Sequence, residues 1–319
     1  MSIPKKVYRT IKKVVFASGS ILCFNYLYSK YAVRNHILNT SPDNFYDWKG
    51  IKINYDKTGS GSPVILLHSI HPAASSFEWH RIVDLLSESH TVYTVDLPGC
   101  GRSDRPEILY VNFYYVQFIC DFIMHMNIRN PVIVASNLTT AAAIMATAYK
   151  KGLIRKCILI NPPSISSLSQ KPNPISKIRY KVLTAPLIGE LIYNILSSRM
   201  QIDMYFAETY FYNPFHDTDQ LVDTYFESSH LGNGKGYYLA ASIMSGYLNV
   251  NVTRALRQAN IPFKIIEGKS TEDAEKTVFE WTHIRPNIET VYIEHTKTLP
   301  MLEEPEKTAE EILRFIDAC

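Results

Sequence analysis

The sequence predicts an α/β protein. A mainly parallel sheet is flanked by helices on both faces, a helical cap is inserted late in the chain, and a hydrophobic helix precedes the whole. Three observations predict it. Short apolar runs alternate with helical segments, as crossover connections between parallel strands require. Several of those runs are apolar at every position, as strands buried on both faces must be. The alternation stops after Pro162-Pro163, is replaced by helical or irregular segments rich in Tyr, Ile and Leu, and resumes near residue 263.

The elements follow in order. Residues 35–50 are polar and include Ser41-Pro42-Asp43, so they read as a linker. Ile51-Lys-Ile-Asn-Tyr55 alternates apolar and polar residues, a half-buried strand. After the turn Gly59-Ser-Gly-Ser-Pro63, Val64-Ile-Leu-Leu67 is a strand buried on both faces. Glu78 to Ser89 has helical periodicity, Thr91 to Val95 is a strand, and Asn112 to Met126 is a helix. Val132 to Val134 enters a turn of small residues and then an Ala-rich helix, Ala141 to Lys150, followed by the strand Cys157 to Ile160. Phe263 to Ile266 and Val291 to Ile293 are the last strands, and Glu304 to Ala318 is a terminal helix. The organisation is therefore 1–34 anchor helix, 35–50 linker, 51–163 and 259–319 core, and 164–258 cap.

Composition bounds the function. With 319 residues, 46% hydrophobic and 20% charged, the chain can bury a sizeable core, which excludes global disorder. A net charge of +3, with no basic stripe interleaved with aromatics in the main domain, gives no footprint for nucleic acid. Cys23, Cys100, Cys120, Cys157 and Cys319 are scattered, with no CxxC and no Cys/His spacing of a zinc site. No metal and no cofactor is expected.

Lys5, Lys6, Arg9, Lys12 and Lys13 precede the run Val14 to Tyr28, and Lys30 and Arg34 close it. The run is shorter than the ~20 apolar residues that span a bilayer upright. A transmembrane or deeply inserted anchor is the leading reading, because flanking aromatics and snorkelling lysines extend it. An interfacial helix with a basic face and a cleaved signal peptide are the alternatives. If the helix spans, the basic excess on its N-terminal side sets the N-terminus inside. The expected location is a membrane, with lipid met through residues 1–34.

Three motifs carry a family resemblance. Asp96-Leu-Pro-Gly-Cys-Gly-Arg-Ser103 looks like a loop written D-x-P-G-x-G-x-S, Leu67-His-Ser-Ile-His-Pro72 like a His-Gly-x loop, and Val132 to Thr140 like a strand-turn-helix. Together they resemble the α/β-hydrolase superfamily over residues 48–319. The resemblance implies a sheet with a cap over a pocket, and a Ser-His-Asp triad with backbone oxyanion donors. Laid on it, the donors are Ile70 and Leu138. His68 is a structural residue, and Ser69 replaces the usual glycine. Cys100 fills a variable position. The nucleophile position falls on Asn137 rather than a serine, and Ser136 lies one residue early. The acid position falls on Thr271, with Glu272 and Asp273 beside it. The base position falls on Thr298 in Thr298-Leu-Pro300-Met-Leu-Glu303-Glu-Pro305, and His295 lies three residues earlier as a solvent-side residue. His71 and His80 read as surface or loop residues.

Serine hydrolysis needs a hydroxyl, a base to take its proton and a group that orients the base. Asn137, Thr271 and Thr298 stand in these places instead, and no titratable group remains at the base position. The leading functional reading is a membrane-anchored protein of this fold without hydrolytic activity, binding a ligand or partner. His68, Ser69, Ser136 and Glu272 are candidates to line its pocket, and a small apolar or aromatic ligand is expected under the cap. The alternative is an active hydrolase of esters or related bonds with an altered site, using Ser136 or Ser69 with His71 or His295. A scaffold whose pocket is filled by its own side chains is the third reading.

Overall fold

The computed structural model describes residues 5–38, 44–213, 218–232 and 234–318. The chain opens on α1 (Lys5–Ala32) and then forms β1 (Asn44–Trp48), β2 (Ile51–Thr58) and β3 (Ser62–Leu67). A 3₁₀ turn at Ser76–Trp79 and α2 (Val83–Ser87) lead to β4 (His90–Val95), α3 (Asn112–His125), β5 (Val132–Ser136), α4 (Thr139–Tyr149) and β6 (Lys156–Ile160). The insertion holds α5 (Ile165–Leu168), α6 (Pro174–Leu183), α7 (Ile188–Leu196), α8 (Arg199–Tyr205), a π turn at Phe206–Tyr210, α9 (Thr218–His230) and α10 (Tyr237–Met244). The core closes with α11 (Thr253–Gln258), β7 (Phe263–Gly268), α12 (Ala274–Ile284), β8 (Glu289–Ile293), α13 (Pro300–Glu303) and α14 (Pro305–Asp317).

The eight strands form one sheet in the order β1-β2-β4-β3-β5-β6-β7-β8. β2 runs antiparallel to β1 and β4, and the other pairings are parallel. Alternate residues of each parallel strand point to opposite faces. Ile65, Leu67, Ile133, Ala135, Cys157 and Leu159 enter the core on the side of α3, α4 and α12. Val64, Leu66, Val132, Val134, Ile158 and Ile160 enter the other, with α2, α14 and the cap. Both faces are covered, which is why these strands read as unbroken apolar runs.

Four expectations need correction. The stretch 35–50 is not only a linker: 44–48 is the edge strand β1, with Trp48 buried and its indole N–H donating to Asp121 Oδ2 at 2.9 Å. Residues 39–43, including Ser41-Pro42-Asp43, lie outside the described residues. The segment 78–89 is not one helix, because the chain turns at Ser76–Trp79 before the short α2. Between β7 and β8 the chain also forms the helix α12, which the strand-to-strand reading of this segment leaves out.

The fourth correction concerns the transmembrane reading. Among the described residues no helix is long and apolar enough to cross a membrane. Ser18, Ser20 and Asn25 interrupt the run, and its C-terminal half has a different task. Asn25 and Ala32 are buried. Asn194 of α7 donates its amide to Asn25 Oδ1 at 3.1 Å, and the Tyr28 ring meets Phe226 and His230 of α9. The second half of α1 is therefore cap packing, not a free tether.

Candidate functional site

β5 ends at Ser136, and the chain reverses at Asn137 with φ +48° before α4. That left-handed conformation is costly for most residues with a Cβ, and Asn is among the few that visit it. The backbone holds the turn. Asn137 N–H donates to Ile160 O at 2.8 Å, while its carbonyl accepts from Thr140 N–H at 3.0 Å and Thr140 Oγ1 at 2.6 Å. The Thr139 hydroxyl donates to His68 O at 2.6 Å, tying the start of α4 to the end of β3. Ser136 is completely buried on the face that Val132 and Val134 share, and its hydroxyl has no partner. A hydroxyl without a base and without solvent is not a nucleophile.

The loops after the next strands stand beside this turn. Asn161 follows β6 with φ +43°. Its amide donates to Lys297 O (2.9 Å) and Thr298 O (2.8 Å), and its Oδ1 accepts from Gly268 N–H (2.9 Å) and the Thr271 hydroxyl (3.4 Å). One neutral amide thus ties together the two loops on which the resemblance puts an acid and a base. Thr298 is buried, and its hydroxyl donates to Thr209 O of the cap at 3.2 Å. Glu272 and Asp273 are exposed, and Asp273 pairs with Lys276 at 3.5 Å. His295 is exposed beside Tyr212.

On the other side of the turn, His68 is buried between two backbone groups. Its Nδ1 donates to Ser69 O at 2.7 Å and its Nε2 accepts from Leu97 N–H at 3.0 Å, an assignment that keeps the ring neutral. Burial lowers its pKa. Ser69 N–H donates to Glu78 Oε2 at 3.0 Å, and the phenol of Tyr225 on α9 donates to Glu78 Oε1 at 2.6 Å. Glu78 is a buried carboxylate whose pKa is pushed up to about 7 by burial, against the two hydrogen bonds that lower it. It clamps the loop after β3 to the cap. Ile70 is buried in that loop, and Leu138 is half-buried before α4. Cys100 is buried with its thiol pushed up to about 12, which leaves no thiolate for catalysis.

Beneath the cap lies a cavity of about 330 Å³ lined by His71, Tyr193, Ile202, Phe206, Tyr210 and Tyr225 among others. His68, Ser69, Ser136 and Glu272, expected to line it, do not. His71 does, from the loop after β3, where it is half-buried. Its Nδ1 accepts from Ala73 N–H at 3.2 Å, which leaves Nε2–H as the ring's donor. Burial lowers its pKa to about 4, so it is neutral at pH 7. Glu78, Tyr225 and Asn161 escaped the sequence reading. For Asn161 a signal existed, a polar residue directly between an apolar strand and Pro162-Pro163.

An open, mostly parallel sheet with a strained turn after β5 and a cap over a cavity defines an α/β-hydrolase-fold protein. The comparisons agree. A profile described as "Alpha/beta hydrolase family" matches residues 64–311, and the chain belongs to that family. It is 27% identical over 120 residues to a 2-hydroxy-6-oxo-6-(2'-aminophenyl)hexa-2,4-dienoic acid hydrolase of Metapseudomonas resinovorans, covering 37% of this chain and 41% of the relative. It is 30% identical over 107 residues to a haloalkane dehalogenase of Bradyrhizobium diazoefficiens, covering 33% of this chain and 34% of the relative. The chain thus spans less than half the length of these curated relatives. A crystal structure of a serine hydrolase involved in carbazole degradation superposes with a TM-score of 0.69 at 20% identity, over 86% of this chain and 98% of its own. A membrane phospholipase A superposes with a TM-score of 0.67 at 16% identity, over 98% of both chains.

Proposed function

We propose that the chain is a ligand-binding member of its family that does not perform serine-type acyl transfer, and that it works at a membrane surface. The observation that carries the first part is Asn137 at the left-handed turn after β5. A carboxamide is not a nucleophile, and with Thr271 and Thr298 at the acid and base positions no group near neutral pKa completes a triad. The cavity beneath the cap, aromatic with a few polar groups, has the size and character of a small-molecule site. It suits an apolar or aromatic ligand, with His71 Nε2–H as a donor to its polar end. The membrane part is supported by α1, which has no acidic residue and leaves Val15, Phe16 and Leu27 exposed. Of the two structures named above, the membrane phospholipase A matches over a length that takes in this helix.

A second reading is an active hydrolase with an altered site. The activities of the relatives favour it over a binding role. The chemistry of the turn weighs against it, and burial of Ser136 removes its nearest hydroxyl. Full-length protein treated with a fluorophosphonate probe and p-nitrophenyl esters separates the two. We expect no labelling and no turnover above a denatured control. A turnover of even ~0.1 s⁻¹, lost in Ser136→Ala or His71→Ala, installs the second reading, since enzymes typically work at ~1–1000 s⁻¹.

A further inference from the structure

The helix α6 is amphipathic the wrong way round for a soluble cap. Ile175, Ile178 and Val182 fall on one stripe by their spacing, and such a stripe normally faces the core. Here it faces out: Ile175 and Ile178 are 64% and 62% exposed, while Ser176 on the same helix is buried. The neighbouring helices continue the pattern. Ile188 and Ile195, seven residues apart on α7, are exposed one step round from Asn194, which binds α1. Met200 on α8 is 72% exposed, and Met204 beside it is exposed too. α1 packs on α7 and α7 on α6, so these three helices lie side by side. The charge of α1 and α6 has one sign, while α7 holds the half-buried Glu190 and α8 the exposed Asp203. Residues 5–32 carry no Asp or Glu, and neither do residues 165–189, which hold Lys171, Lys177, Arg179 and Lys181. Exposed apolar stripes flanked by lysine and arginine are the chemistry of a helix lying in an anionic lipid interface.

The cavity opens on this same face. Leu196, at the end of α7, Tyr205, after Met204, and Met244 line the cavity and are also exposed. We propose that α1 and the outward faces of α6, α7 and α8 form one surface that seats on an anionic lipid leaflet, and that the cap cavity loads through it with a single-chain amphiphile held in that leaflet. The proposal rests on the reading that the cavity takes a ligand and that α1 meets a membrane. It adds that the cap itself is in the interface and that the route of entry is lateral.

The test uses the full chain and the variant Ile175→Ser/Ile178→Ser/Val182→Ser, whose three positions are exposed and whose far-UV spectrum and melting temperature should match the parent. Flotation is measured with phosphatidylcholine vesicles, with and without about one-third phosphatidylserine. Uptake of parinaric acid, a fluorescent fatty acid, is followed from the same vesicles and from free solution. We expect binding to the anionic vesicles only, about tenfold weaker in the triple variant, with uptake from vesicles slowed by a similar factor and uptake from solution unchanged. Vesicle binding and uptake equal to the parent would overturn the cap surface while leaving the cavity reading intact. Absence of vesicle binding, with concentration-dependent dimers that the triple variant abolishes, would assign the face to a second copy of this chain and overturn the proposal. Absence of uptake from either source would overturn the ligand reading and this proposal together.

Discussion

The loop Asp96–Ser103 and the turn at Asn137 sit at the C-terminal ends of nearby parallel strands and answer to the same family pattern. They stand very differently to it. The first keeps its residues. Asp96 is buried and accepts from Ser76 N–H at 2.7 Å and Arg102 N–H at 2.9 Å. Ser103 Oγ donates to Asp96 O at 2.6 Å and accepts from Asn54 N–H at 2.9 Å. Gly101 holds φ +49°, where an added Cβ would run into the Asp96 carboxylate. Asp96 and Ser103 thus complete hydrogen bonds inside the fold, and both have a folding duty. The turn at Asn137 is held through that residue's N–H and C=O, and among the described residues the Asn137 side chain makes no hydrogen bond. A residue whose side chain makes no hydrogen bond can change without loss of fold; a residue that satisfies buried donors cannot.

The comparison is broken most directly by Asp96→Ala. The substitution leaves Ser76 N–H and Arg102 N–H without their acceptor and Arg102 without a buried counterion at 3.4 Å. We expect a loss of about 3–5 kcal/mol in urea unfolding, the cost of breaking a buried charged contact. A loss below ~1 kcal/mol would show that the loop has no such duty.

Glu78 joins scaffold and cap. Its folded pKa, about 7, lies above its ordinary value of 4.5. Its contribution to stability is therefore fully present below pH 4.5 and is lost as pH rises through about 7. His71 and His230, both lowered to about 4 by burial, act oppositely: their contribution is present above pH 6.5 and lost as pH falls through about 4. The Glu78→Gln variant isolates the first effect. Between pH 4.5 and 8 the parent should lose about 1–3 kcal/mol relative to the variant, read from paired denaturation curves. Parallel curves would mean that burial does not raise the Glu78 pKa.

Such groups mark where the sequence stops being informative. Val64–Leu67, Val132–Val134 and Cys157–Ile160 were legible because a strand covered on both faces has no polar position to offer. The loop at Asp96–Ser103 was legible because its glycines and buried aspartate leave a dense local pattern. Glu78 was not, since a glutamate in an amphipathic stretch reads as solvated, and the phenol that receives it lies 147 residues away. Asn161 bridges loops more than a hundred residues further on, which no local pattern reports. The direction in which the α6 stripe faces has no local signature either, because periodicity places a face relative to its helix and not relative to what lies against it.

The smallest expected effect sharpens the comparison at its other pole. At Asn137 the three hydrogen bonds that hold the turn use its N–H and C=O, and any residue supplies those. What the side chain contributes is its tolerance of φ +48°. Asn137→Ala should therefore cost about 1 kcal/mol, the penalty of a Cβ in the left-handed region without a side chain that accommodates it. Asn137→Gly has no Cβ, but it gains freedom in the unfolded chain, and these terms oppose each other. We expect a change within ~0.5 kcal/mol of zero for Asn137→Gly, with the cap cavity still able to take up parinaric acid. Set beside several kcal/mol at Asp96, that value would place folding duty in one loop and not in the other. A loss above ~1 kcal/mol in the glycine variant would instead give the Asn137 amide a structural role of its own, and the turn would then belong with the scaffold.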